Sequence, residues 1–92
     1  MIKYRYANVG TGDARYILVE ILDYDSESQN NLFDTISCNN NWDRVPVLMQ
    51  DRKVFANPSE ESFSGVARFL HNKYLADGGD MHNLRWVGPF DL

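Results

Sequence analysis

The segment Asn57-Pro58-Ser59-Glu60 constrains the fold more than any other stretch of the chain. Asn57 is a favoured N-cap. Pro58 suits the first helical position, where its missing N–H costs no bond, and Glu60 closes a capping box. Behind it, Phe63, Val66, Ala67 and Leu70 recur at i, i+3, i+4 and i+7, with Tyr74 one turn further on. The spacing predicts a helix with one apolar face, stopping near Ala76-Asp77-Gly78-Gly79. Such a face must be covered by another layer of structure. With 92 residues there is room for one core only.

The rest of the chain supplies candidate partners for that helix. Residues 2–7 alternate, with Ile2, Tyr4 and Tyr6 on one side and Lys3 and Arg5 on the other, which predicts a half-buried strand. Asn8 to Gly12 is a turn. Asp13 to Leu22 is expected to be a helix, capped by Thr11 or Asp13, with Ala14, Ile17, Leu18 and Ile21 along one side. From Asp23 to Asn41 the signal fades. Leu32, Phe33 and Ile36 fit one short helical turn, and the asparagines mark loops because Asn tolerates left-handed geometry. Val45 to Met49 and Arg52 to Ala56 are two short strands across a Gln50-Asp51 turn, a hairpin. Proline within the first of them calls for an edge, a bulge or a cis peptide at Val45–Pro46. Residues 80–92 carry Trp86, Val87, Pro89 and Phe90 and are too apolar for a solvated tail. The order strand, helix, weak middle, strand, strand, helix is that of a small α/β sandwich.

Several functions are argued against by composition. No apolar run approaches the ~20 residues of a membrane helix. MIKYRYANVG has no apolar h-region, so no signal peptide is seen. A single cysteine, Cys38, precludes an internal disulfide and a CxxC redox pair, and it fits an intracellular setting, cytoplasmic or an organelle interior. Net charge is -4 with scattered Lys and Arg, which gives no footprint for nucleic acid. His71 and His82 have no partners at metal-ligand spacing, and Asp77-Gly78-Gly79-Asp80 is a turn rather than a calcium loop. No metal site is expected.

Four pieces together resemble a known family: Tyr6-Ala7-Asn8-Val9, Ala14-Arg15-Tyr16-Ile17, Val45-Pro46-Val47-Leu48, and Glu61-Ser62-Phe63 running on to Ala67-Arg68-Phe69-Leu70. They are similar to the N-terminal, thioredoxin-like domain of a glutathione transferase, nearest to the sigma-like class. The resemblance covers residues 1–76 as that domain and leaves 77–92 as an extension that docks onto the domain or onto a partner. It implies a cis-proline, Pro46, before strand three. It implies that the Tyr6 hydroxyl donates to the glutathione sulfur and stabilises the thiolate. Val45 would pair through its backbone with the cysteine moiety, Arg44 would reach a carboxylate, and Ser59 or Ser62 would hold the γ-glutamyl end at a helix N-terminus.

Departures from the family pattern point away from catalysis. Asp43 stands where the family has glycine, and Glu60 and Glu61 place negative charge where an anion would bind. Pro58 removes one free amide from the first turn. The family's helical second domain, which walls the substrate pocket, would begin where this sequence stops. The expectation is therefore a non-catalytic binding or assembly subunit of a larger complex or homo-oligomer, with no cofactor. The alternative is a minimal glutathione transferase or glutathione-binding protein using Tyr6.

Overall fold

A computed structural model describes residues 1–10, 15–51, 65–79 and 84–92. Its elements run β1 (Ile2–Val9), β2 (Tyr16–Tyr24), a 3-10 turn (Gln29–Asn31), α1 (Leu32–Asn40), β3 (Val47–Asp51), α2 (Gly65–Ala76) and β4 (Val87–Asp91). The four strands form one mixed sheet in the order β3-β2-β1-β4. β1 is antiparallel to both β2 and β4, whereas β2 and β3 are parallel and joined through α1. The described residues thus make a small α/β domain with a four-stranded mixed sheet and two helices.

The two helices serve opposite faces of the sheet. Tyr16 and Leu18 of β2 join Ala7, Val9, Leu48 and the α2 residue Leu70 in one buried cluster. The intervening Ile17, Val19 and Ile21 join Ile2, Tyr4 and the α1 residue Ile36 in the other. Because successive strand side chains point to opposite faces, β2 must be apolar at nearly every position. It is buried continuously from Tyr16 to Ile21. Burial of each large aliphatic side chain there is worth about 1.5–3 kcal/mol before entropy is counted.

This explains the first correction. Residues 16–22, expected to be helical, are strand. Apolar residues at 17, 18 and 21 satisfy a helical period, but so does any uninterrupted apolar run. The β-branched and aromatic content of Tyr16-Ile17-Leu18-Val19-Glu20-Ile21 decides for a strand covered on both sides. The chain therefore opens with an antiparallel hairpin, and the parallel pair comes after it.

α1 runs for nine residues, longer than the single turn expected from Leu32, Phe33 and Ile36. Asn41 ends it in left-handed geometry (φ 60°). The Asn41 N–H donates to the Cys38 carbonyl at 3.3 Å and the Trp42 N–H to the Ser37 carbonyl at 3.1 Å, a Schellman closure. Asn40 ties the helix to β1, its Nδ2 donating to the Tyr4 hydroxyl at 3.0 Å and to the Ile36 carbonyl at 2.8 Å. α2 ends at Ala76 as its apolar spacing predicts, with Gly78 left-handed (φ 89°). The predicted second hairpin strand at 52–56 and the capping box at 57–60 lie outside the described residues.

The second correction concerns Pro46. The Val45–Pro46 peptide is trans, and the cis peptide among the described residues is Gly88–Pro89. Pro46 sits just before β3, where its missing N–H is not required by the ladder. Its carbonyl accepts the Ile17 N–H at 2.9 Å and so begins the parallel pairing.

Candidate functional site

Tyr6 lies mid-strand in β1, opposite Val19 of β2 and Val87 of β4. Its ring is half-buried and meets Trp42 edge-on, with centroids 4.9 Å apart and planes at 77°. Phe90 stacks on its other flank at 5.8 Å and 15°. Phe90 also lies 5.4 Å from the Tyr4 ring. β1, β4 and the segment after α1 thus converge on one aromatic group. Such ring pairs add about 0.5–1.5 kcal/mol each beyond the area they bury.

The expected site residues Tyr6, Arg44, Val45, Pro46, Ser59 and Ser62 separate into four sets. Tyr6, Trp42 and Val45 pack against the same buried cluster under α1, so the structure brings the candidate tyrosine and the Val45 segment onto one side of the sheet. Arg44 and Asp43 are exposed, beside that group in sequence but directed to solvent. Pro46 is half-buried and engaged with β2 through its carbonyl. Ser59 and Ser62 lie outside the described residues. Cys38 is an exposed free thiol on α1. Among the described residues no three His, Cys, Asp or Glu side chains gather as a metal site. Among them, too, no helix is long and apolar enough to cross a membrane.

β4 is the element that the strand-and-helix spacing did not predict. All five of its residues are exposed. Val87, Phe90 and Leu92 remain 38–39% exposed although they are large and apolar. Their partners across the ladder are Tyr6, Tyr4 and Ile2, so all three share the α1 side of the sheet. The apolar character of Trp86, Val87, Pro89 and Phe90 was the available signal. A Gly-Pro pair in the middle hides it as a strand.

On the opposite face the charged contacts are structural. Glu20 is buried and pairs with the Arg5 guanidinium at 3.0 Å. The same guanidinium lies 4.0 Å from the centre of the Trp86 ring. Arg5 and Glu20 face each other across β1 and β2, so the pair is fixed by register. Trp86 covers the charge and packs against the α2-side cluster, which anchors the chain just before β4.

No protein-family model, curated protein or solved structure matches the chain. The geometry of its own residues therefore carries the functional reading.

Proposed function

We propose that the chain is a non-catalytic binding or assembly module that works through the β4 side of its sheet. The observation that carries this reading is the row Val87, Phe90 and Leu92, half-exposed on one face of a terminal strand. A row of large apolar side chains on an edge strand is costly in water and favours contact with another surface. A parallel strand–helix–strand unit, here β2–α1–β3, is common to thioredoxin-like domains, but this chain threads it after a hairpin.

A second reading, a glutathione-binding protein, is favoured by one observation: Tyr6 and Val45 pack on the same cluster. Against it stand the trans Val45–Pro46 peptide and the Pro46 carbonyl already bonded within the sheet. An extended peptide ligand needs backbone groups that are free. Calorimetric titration of the chain with reduced glutathione separates the two. The assembly reading expects no saturable heat into the millimolar range. Saturable binding that is weakened by Arg44→Ala favours the second reading instead.

A further inference from the structure

Cover on the α1 side of the sheet runs out at one corner. Along β1, Ile2 and Tyr4 are buried on that side, Tyr6 is half-buried and Asn8 is exposed. On β2 the same side stays buried at Ile17, Val19 and Ile21, so the corner lies between β1 and β4. Tyr6 forms its floor. Half-buried Trp42 stands edge-on at 4.9 Å on one flank, and the exposed Phe90 ring lies nearly parallel at 5.8 Å on the other. Val87, also exposed, is opposite Tyr6 across the ladder. The same rings carry two unused donors. The Tyr6 hydroxyl and the Trp42 indole N–H make no hydrogen bond among the described residues, and neither is sealed from water. A ring that is apolar along its body and wet at its polar tip is the form Tyr and Trp take at interfaces.

The free donors narrow what can cover this corner, because the ligand must bring free acceptors to apolar rings. A helix has its carbonyls bonded within itself. A strand needs an edge to pair with, and the outer edge of β4 is a poor one. Phe90 and Leu92 turn their backbone groups inward to β1, which leaves Pro89, without an N–H, and Asp91, with its carboxylate, facing outward. A polyproline II segment keeps every carbonyl free, and its proline rings pack on aromatic surfaces. One of its turns is about 9 Å long, a length that three rings stepped by 4.9 and 5.8 Å can line. Charge adds a preference. Asp43, exposed between Trp42 and the exposed Arg44, has no ion pair among the described residues, and the chain carries a net charge of -4. That field favours a cationic ligand.

We infer that the Tyr6–Trp42–Phe90 corner binds a proline-rich segment of a partner protein in the polyproline II form, flanked by a lysine or arginine. The Tyr6 hydroxyl and the Trp42 N–H donate to its carbonyls. Phe90 and Val87 pack against its proline rings, and Asp43 faces the flanking cation. The inference rests on the assembly reading above and names the chemistry of its partner.

The test titrates the full chain, by calorimetry, with a peptide of eight prolines and two lysines. A glycine-serine peptide of the same length and charge is the control. The expected result is saturable binding of the proline peptide, at least tenfold tighter than the control. The Trp42 indole N–H signal in a nitrogen-correlated NMR spectrum should move downfield while that of Trp86 stays in place. Tyr6→Phe keeps the ring and should weaken binding about 2- to 10-fold. Asp43→Asn should weaken it up to about 5-fold and reduce its salt dependence. Equal affinity for the two peptides overturns the inference, as does an absence of saturation into the millimolar range or binding indifferent to Tyr6→Phe. Reduced glutathione is titrated in parallel. If neither ligand binds, the proline-rich partner fails and the assembly reading stands; if glutathione alone binds, both fail.

Discussion

Tyr16 makes the domain's stability depend on pH in the alkaline range. Its side chain is fully buried at the start of β2, in the cluster covered by α2. Burial first, and the neighbouring Tyr74 second, push its hydroxyl from 10.0 up to about 12. The raised value means that the folded state holds the proton more tightly than the unfolded chain. The resulting stabilisation is complete below pH 10, where both states are protonated, and is lost as pH rises from 10 toward 12. Two units correspond to about 2.7 kcal/mol over the whole window, and to about 1.4 kcal/mol by pH 11. That is a substantial fraction of the roughly 5–14 kcal/mol that a domain of this size possesses. Urea unfolding at pH 8, 10 and 11, read by tryptophan fluorescence, measures it in the natural chain and in Tyr16→Phe. The substitution removes the hydroxyl's hydrogen-bonding capacity, a loss of about 0.5–1.5 kcal/mol that is the same at every pH. The stability difference should therefore shift by about 1.4 kcal/mol in favour of the variant between pH 8 and 11, closing or reversing the gap. A gap that stays constant would refute the reasoning, because it would mean that Tyr16 ionises alike in both states.

Other substitutions probe the closures and the packing. A methyl group at Gly79 would run into the Tyr74 ring, whereas at Gly78 it meets open space and only the left-handed backbone (φ 89°) objects. Gly79→Ala should thus cost about 1–3 kcal/mol and Gly78→Ala about 1 kcal/mol in urea unfolding; the reverse order would contradict the packing. Asn41→Ala should lose about 1 kcal/mol, since alanine disfavours the left-handed cap, and Asn41→Gly should lose nothing. Ile36→Ala, at a fully buried position of α1, should cost about 2–5 kcal/mol; a smaller loss would mean that α1 does not cover its face. Asp25 accepts hydrogen bonds from the Met1 amine at 2.7 Å and from the Ser28 N–H at 3.0 Å. The amine first and the Ser28 side chain second, with a smaller share from the Ser28 N–H, hold its carboxyl down at about 2. A depressed value stabilises the fold above the ordinary carboxylate range and is lost as pH falls through 2. A carbon NMR titration should find that midpoint, and acetylating the amine should move it back toward 4.

How much of this was legible depends on which interaction decides each element. Residues 2–7 were readable because one face of β1 is apolar and the other charged, and alternation has no helical counterpart. The end of α2 was readable because Ala76-Asp77-Gly78-Gly79 carries its own stop signal. β2 was misread because it is covered on both faces, and that coverage is a property of the whole sheet. The apolar spacing of Ile17-Leu18-Val19 alone does not distinguish two helices above and below from one helix face; the β-branched and aromatic content around it is the signal that does. The same holds for Pro46. A proline before an apolar run is compatible with cis, with an edge, or with a position just outside the ladder, and the parallel partner supplied by β2 selects the last.

The candidate site divides along the same line. Tyr6 and Val45 could be named from the sequence, and the sheet does bring them to one side. Their meaning, however, comes from Trp42 and Phe90, the rings beside Tyr6. Trp42 is placed by the left-handed closure at Asn41, its N–H donating to the carbonyl of Ser37 five residues earlier. Phe90 is placed by a strand that a Gly-Pro pair conceals. Tyr6 is flanked at 4.9 and 5.8 Å by the Trp42 and Phe90 rings. The aromatic group joins β4 and the segment after α1 to β1.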